Sequence, residues 1–235
     1  MKKLIIYALV FFLAAGMLFL GGCGGSSDGD GGTATNYYTI YGTVVDSQNT
    51  TISGMNCTLT SSTEAIQSAT SDSNGSFSFS NVTEGTYNVL CDQGDYIPSR
   101  YYITVTANGE TYKGVTSLKM VVLTPEEYDS FAGYSHYYDS SLGYIMPVVL
   151  DKSDQEMEGV SFSSQPGALA IGYIDQGIDW DAVSTFAYQG RGILEVTPGP
   201  SYTIYASMSG SDFSPSSITI TPQQGELTLI QFKKE

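Results

Sequence analysis

Basic residues are scarce: nine Lys and Arg stand against 24 Asp and Glu in 235 residues, a formal charge of −15 at pH 7. A surface of that sign repels nucleic acid and anionic lipid headgroups, which excludes both as partners. There is one histidine, His136, and there are three cysteines, Cys23, Cys57 and Cys91. One histidine cannot build a multi-histidine zinc site. Any Ser-His-Asp or Cys-His arrangement would have to use His136, in a Tyr-rich stretch without a nucleophile-elbow glycine motif. No Cys-x-x-Cys-His motif and no G-x-x-x-x-G-K-[ST] phosphate loop is present, so no covalent haem and no nucleotide is expected. The expectation is a protein that is not an enzyme, with no cofactor and no metal. Tryptophan occurs once, at Trp180, and charged residues make up only 14% of the chain. Tyrosine (18) and glycine (26) are abundant, with Ser and Thr frequent throughout. That mixture reads as an all-β extracellular protein.

The chain opens Met1-Lys2-Lys3 and then runs from Leu4 to Leu20 without a charge. A positive start, an apolar stretch and small residues at its end make a secretory signal peptide. The segment closes Leu20-Gly21-Gly22-Cys23, which resembles the bacterial lipobox of exported lipoproteins. The resemblance implies removal of residues 1–22 and acylation, of the palmitate kind, on the sulfur of Cys23. The membrane is then a partner through the N-terminal lipid, at the outer membrane or cell surface rather than the inner membrane. The alternative is an uncleaved transmembrane anchor, since the run approaches spanning length. Both readings export the rest of the chain. Removing 22 residues leaves 213, room for two small domains.

Residues 23–36 follow as the lipidated cysteine and a flexible tether. Gly24 to Asn36 has no large apolar residue and spans on the order of 20 Å as a random coil. Residues 37–122 form short alternating segments separated by turns, a sandwich or barrel pattern. Residues 144–235 repeat the first set. Asp46 and Gly54 recur as Asp151 and Gly159, an offset of 105. Thr70, Gly75 and Tyr87 recur as Thr185, Gly190 and Tyr202, an offset of 115. The second repeat therefore carries ten extra residues before Thr185. Between the repeats lie residues 123–143, a short helix and a Tyr-rich linker. Thr124 as N-cap, Pro125 at the first helical position and Glu127 at the third predict the helix.

The first repeat resembles the carboxypeptidase regulatory-like domains of bacterial surface proteins. The residues that carry the resemblance are Ile40-x-Gly42-x-Val44 with Asp46, Gly54, Thr70-x-Asp72-x-x-Gly75-x-Phe77-x-Phe79, Gly85-x-Tyr87-x-Val89 and Gly94-x-Tyr96. The second repeat keeps Asp151, Gly159, Thr185, Gly190 and Tyr202 and diverges elsewhere. The family implies a transthyretin-like (prealbumin-like, Ig-like) β-sandwich, so the expected fold is two such sandwiches in tandem. It also implies a non-catalytic module that spaces, docks or binds. Some related Gram-positive surface domains carry a Lys–Asn isopeptide cross-link. It is not expected here, because the first strand has no Lys and the final strand no Asn.

Three sets of side chains remain as candidate sites. Export makes the compartment oxidising, so Cys57 and Cys91 are a disulfide candidate. Both share strand parity with core residues. Their equivalents in the second repeat, Phe162 and Ala206, exchange two cysteines for a large and a small residue. The alternative is two buried, unpaired thiols. Asp72-Ser73-Asn74-Gly75 lacks the remaining ligands of a calcium loop and reads as a β-turn. Within the extra ten residues, Asp179-Trp180-Asp181 places the only tryptophan between carboxylates. It is a candidate grip for a sugar ring or a cation, against the alternative that Trp180 caps the core. The expected function is display of β-sandwich modules for adhesion, envelope structure or docking to an envelope protein. The alternatives are a glycan-binding module, or an accessory subunit of an envelope enzyme or secretion complex.

Overall fold

Both repeats are built on the same local chemistry. An Asp46 carboxylate oxygen accepts hydrogen bonds from the backbone N–H groups of Gln48 and Thr50, both at 2.8 Å. Asp151 does the same for Ser153 at 2.7 Å and Gln155 at 2.9 Å. The aspartate side chain thereby closes the turn after the first strand of each repeat. Gly75 and Gly190 then pass close to that strand: a Cβ would lie 2.6 Å from the Val44 carbonyl oxygen in one case and 2.3 Å from that of Val149 in the other. Only glycine admits such an approach. Each glycine carbonyl accepts the N–H of the valine it approaches, at 2.8 and 2.7 Å.

The computed structural model describes residues 36–61, 65–106, 118–132, 136–153, 155–174, 178–179 and 190–235. Among the described residues the fold is all-β apart from one short helix. The first repeat contains β1 (Tyr38–Val45), β2 (Asn56–Thr60), β3 (Ala65–Thr70), β4 (Ser76–Val82), β5 (Gly85–Asp92), β6 (Ser99–Val105) and β7 (Leu118–Val121). Helix α1 (Pro125–Phe131) follows. The second repeat contains β8 (Gly143–Leu150), β9 (Ser161–Gln165), β10 (Ala170–Ile174), β11 (Ile178–Asp179), β12 (Gly192–Val196), β13 (Tyr202–Ser207), β14 (Phe213–Ser214), β15 (Ser217–Ile220) and β16 (Leu227–Lys234).

Equivalent strands pair alike. In the first repeat β1 runs antiparallel to β4 and parallel to β7. In the second, β8 runs antiparallel to β12 and parallel to β16. The opposite layers are β6-β5-β2-β3 and β15-β13-β9. One strand departs from the repeat. β3 pairs with β2, whereas β10 leaves β9 and pairs with β12, with β11 folded back on its outer edge. The extra residues of the second repeat sit in this β10–β12 connection.

The two repeats share a sheet. β16 pairs in parallel with β6 over Leu227–Leu229, which makes one continuous sheet in the order β11-β10-β12-β8-β16-β6-β5-β2-β3. Sheet β4-β1-β7 forms one core with this sheet and β15-β13-β9 forms the other. On β8, Tyr144 and Met146 enter the first core while Ile145 and Val149 enter the second. On β16, Leu227 and Leu229 alternate in the same way with Ile230 and Phe232. Strands buried on both faces need apolar residues at every position, which is how β8 reads. Residues from Thr35 onward thus make one compact unit, not two units on a string.

Candidate functional site

Helix α1 is fixed by a reciprocal cap: Thr124 Oγ1 accepts from the Glu127 N–H at 3.1 Å, and a Glu127 carboxylate oxygen accepts from the Thr124 N–H at 2.8 Å. The cap aims Tyr128 inward. Its ring lies 5.0 Å from that of Tyr144 and 6.2 Å from that of Tyr138, which stacks on Tyr144 at 5.4 Å. The Tyr128 hydroxyl donates to Glu195 on β12 at 2.7 Å, and His136 Nδ1 stands 3.1 Å from the other oxygen of that buried carboxylate. Burial, reinforced by the Glu195 hydrogen bond and charge, pushes the Tyr128 phenol far above its usual range. Burial also pushes Tyr144 up, although the hydrogen bond from the Asp139 backbone opposes it. The linker expected over residues 123–143 is therefore built into the first core. A second polar tie closes the shared sheet, where Arg100 donates through Nε and Nη2 to Glu226 at 2.8 and 3.0 Å, and through Nη1 to Asn88 at 2.6 Å. Tyr101 donates to Gln231 at 2.7 Å.

A cleft of about 290 Å³ opens where the two repeats meet. Val121 of β7, Leu123 after it, Phe131 of α1, and Met146, Ile174 and Ile193 from the second repeat supply its apolar side chains. Its polar side chains include Lys119, Glu156 and Arg191. Arg191 donates through Nε to Glu156 at 3.0 Å and through Nη2 to the same oxygen. Lys119 is exposed on β7 between Leu118 and Met120, which face the core. Among the described residues its ammonium has no hydrogen bond or ion pair. Desolvation holds its pKa below the ordinary lysine range, the Arg191 charge adds to this, and Glu156 opposes it. Among the described residues the cleft thus carries one net positive charge beside its apolar side chains.

The family model of the carboxypeptidase regulatory-like domain matches residues 39–117. The matched residues correspond to the first repeat as far as the segment before β7. Lys119, Glu156 and Arg191 all lie beyond it. No curated protein sequence matches the chain. Among solved structures, the chain is similar to the Bacillus anthracis TIE protein, at 17% identity over 84% of this chain and 34% of that one, with a TM-score of 0.31. A streptococcal ancillary pilin is similar at 13% identity over 86% of this chain and 64% of that one, with a TM-score of 0.30. The shaft pilin SpaA from Lactobacillus rhamnosus GG is similar at 12% identity over 85% and 98%, again with a TM-score of 0.30. The chain spans about a third of the length of the TIE protein and about two thirds of the ancillary pilin.

Within the matched residues, Cys57 and Cys91 stand opposite each other on β2 and β5 and are joined by a disulfide, with Cα atoms 4.1 Å apart. Both are fully buried. The equivalent pair, Phe162 and Ala206, stands opposite in the same way on β9 and β13. Asp72 spends one carboxylate oxygen on the backbone N–H groups of Asn74 and Ser76, at 2.8 and 2.9 Å, as a turn requires. Cys23, Trp180 and Asp181 lie outside the described residues, and Asp179 is described only as backbone in β11. Of the linker tyrosines, Tyr144 is buried, Tyr138 half-buried and Tyr137 exposed. Sequence reasoning missed Lys119, Glu156 and Arg191. The available signal was a lysine inside an otherwise apolar strand, Leu118-Lys119-Met120-Val121, in a chain with nine basic residues.

Proposed function

We propose that the protein is a non-catalytic lipoprotein of the bacterial cell envelope that displays a stiff pair of β-sandwiches for docking to a partner. The observation that supports this is the continuous sheet through β6 and β16. It couples the repeats by backbone hydrogen bonds instead of a linker, as a spacer or docking body requires. Attachment through a lipid at Cys23 is supported by the resemblance of Leu20-Gly21-Gly22-Cys23 to a lipobox. More than one acyl chain is needed for stable anchoring, and lipoprotein processing supplies them. Fractionation of cells making the full chain tests the anchor. The wild type is expected in the membrane fraction with an intact mass that includes the acyl chains, and Cys23→Ser is expected to be released or to keep its signal uncleaved. Wild-type protein extracted from membranes without lipid would overturn the reading.

A further inference from the structure

We infer that the cleft between the repeats binds a carboxylate with an apolar body, its carboxylate on Lys119 and its hydrocarbon on the floor made by Val121, Leu123, Met146 and Ile193. The inference goes beyond display on the envelope and stands without it, because none of these residues belongs to the anchor. Three observations lead to it. The cleft volume of about 290 Å³ lies at the lower edge of small-molecule sites, enough for a short acyl chain or one large apolar side chain. Val121, Leu123, Met146 and Ile193 give part of its lining an apolar surface, which favours hydrocarbon. Among the described residues its charged side chains, Lys119 and Arg191 against Glu156, leave one net positive charge on a molecule of net charge −15. That charge is held at a cost: the Lys119 ammonium is partly desolvated and repelled by Arg191, and Glu156 is already committed to Arg191. An anion seated on Lys119 offsets both penalties. Asn49, in the turn after β1, lines the same cleft and supplies an amide for a second oxygen.

The carboxylate can come from a free aliphatic acid or from the chain terminus of a partner that ends in an apolar residue. Calorimetric titration of the full chain with octanoate, and with a short peptide ending in a free leucine carboxylate, separates the two sources. Octanamide and the C-terminal amide of the same peptide are the neutral controls. At least one acid is expected to bind at millimolar concentration or better, and its amide about tenfold more weakly or not at all. Lys119→Gln, at an exposed position, is expected to leave the thermal midpoint unchanged and to weaken the acid by about tenfold. In lysine-labelled protein, the Lys119 ε-carbon signal should report a raised pKa when the acid is bound. Tighter binding of octanoate assigns a free acid, and tighter binding of the peptide assigns a partner's chain terminus. Absence of binding by both acids overturns the inference. So does equal binding of acid and amide, or a Lys119→Gln variant that binds as well as the wild type.

Discussion

Tyr128 shows how a single side chain ties the helix to the second repeat. Its ring is fully buried against Tyr138 and Tyr144, and its hydroxyl satisfies one oxygen of the buried Glu195. Tyr128→Phe keeps the ring and removes the donor, so a buried carboxylate oxygen loses that partner. The expected loss is about 1–3 kcal/mol, read from urea denaturation. The same residues set an alkaline limit. Tyr128 and Tyr144 have folded pKa values raised above the value near 10 of an unfolded tyrosine. Below about pH 10 both states keep these protons and the stabilisation is intact. Above it the unfolded chain ionises first, so stability falls as pH rises. Thermal midpoints from pH 9 to 11 should fall with a slope that Tyr128→Phe makes shallower. A slope unchanged in the variant would remove Tyr128 from the account. At this scale the sequence was partly legible. Strand parity placed Cys57 and Cys91 toward the core, because period two depends only on neighbours. Lys119 and Arg191 were not legible as a pair, since only the meeting of the repeats brings them together.

Among the elements, those set by local chemistry were readable and those set by tertiary pairing were not. The Asp46 turn and the capped start of α1 each follow from a few adjacent residues, and the Asp46 turn and the Gly75 approach recur at Asp151 and Gly190 with the repeat offsets. The partner exchange of β10 has no local signature. A strand can pair on either sheet with the same alternation, and its choice is made by β9 and β12. The tyrosines of residues 134–144 read as a linker because polar neighbours surround them. The burial of Tyr144 and the partial burial of Tyr138 come from α1 and β12, which lie elsewhere in the chain. The run Tyr144-Ile145-Met146-Pro147-Val148-Val149-Leu150 did hold a signal. Apolar residues at every position mark a strand covered on both faces, and hence a second layer beyond the sandwich. The β2–β5 pair carries its own test. Thiol labelling of denatured, unreduced mature protein is expected to find no free thiol from Cys57 or Cys91, and reduction should cost roughly 3 kcal/mol of stability. Two reactive thiols in protein taken from the envelope would exclude the bridge.

Across the whole molecule, the shared sheet makes the repeats thermodynamic neighbours. Leu227 and Leu229 of the second repeat sit in the first core, and Tyr102 of the first packs against the second. Unfolding one repeat would bare apolar surface on the other, so calorimetry of the mature chain should give one transition whose calorimetric and van't Hoff enthalpies agree. Two resolved transitions would show that the junction adds little. The position of β16 also bears on the time order of folding. This strand is made after every strand it joins, and it lies between β8 and β6. Until Leu227–Lys234 emerge, β8 lacks its parallel neighbour and β6 has a bare edge. The second core therefore cannot be completed without these residues. Pairing of β16 thus closes the second core and the seam between the repeats in one step.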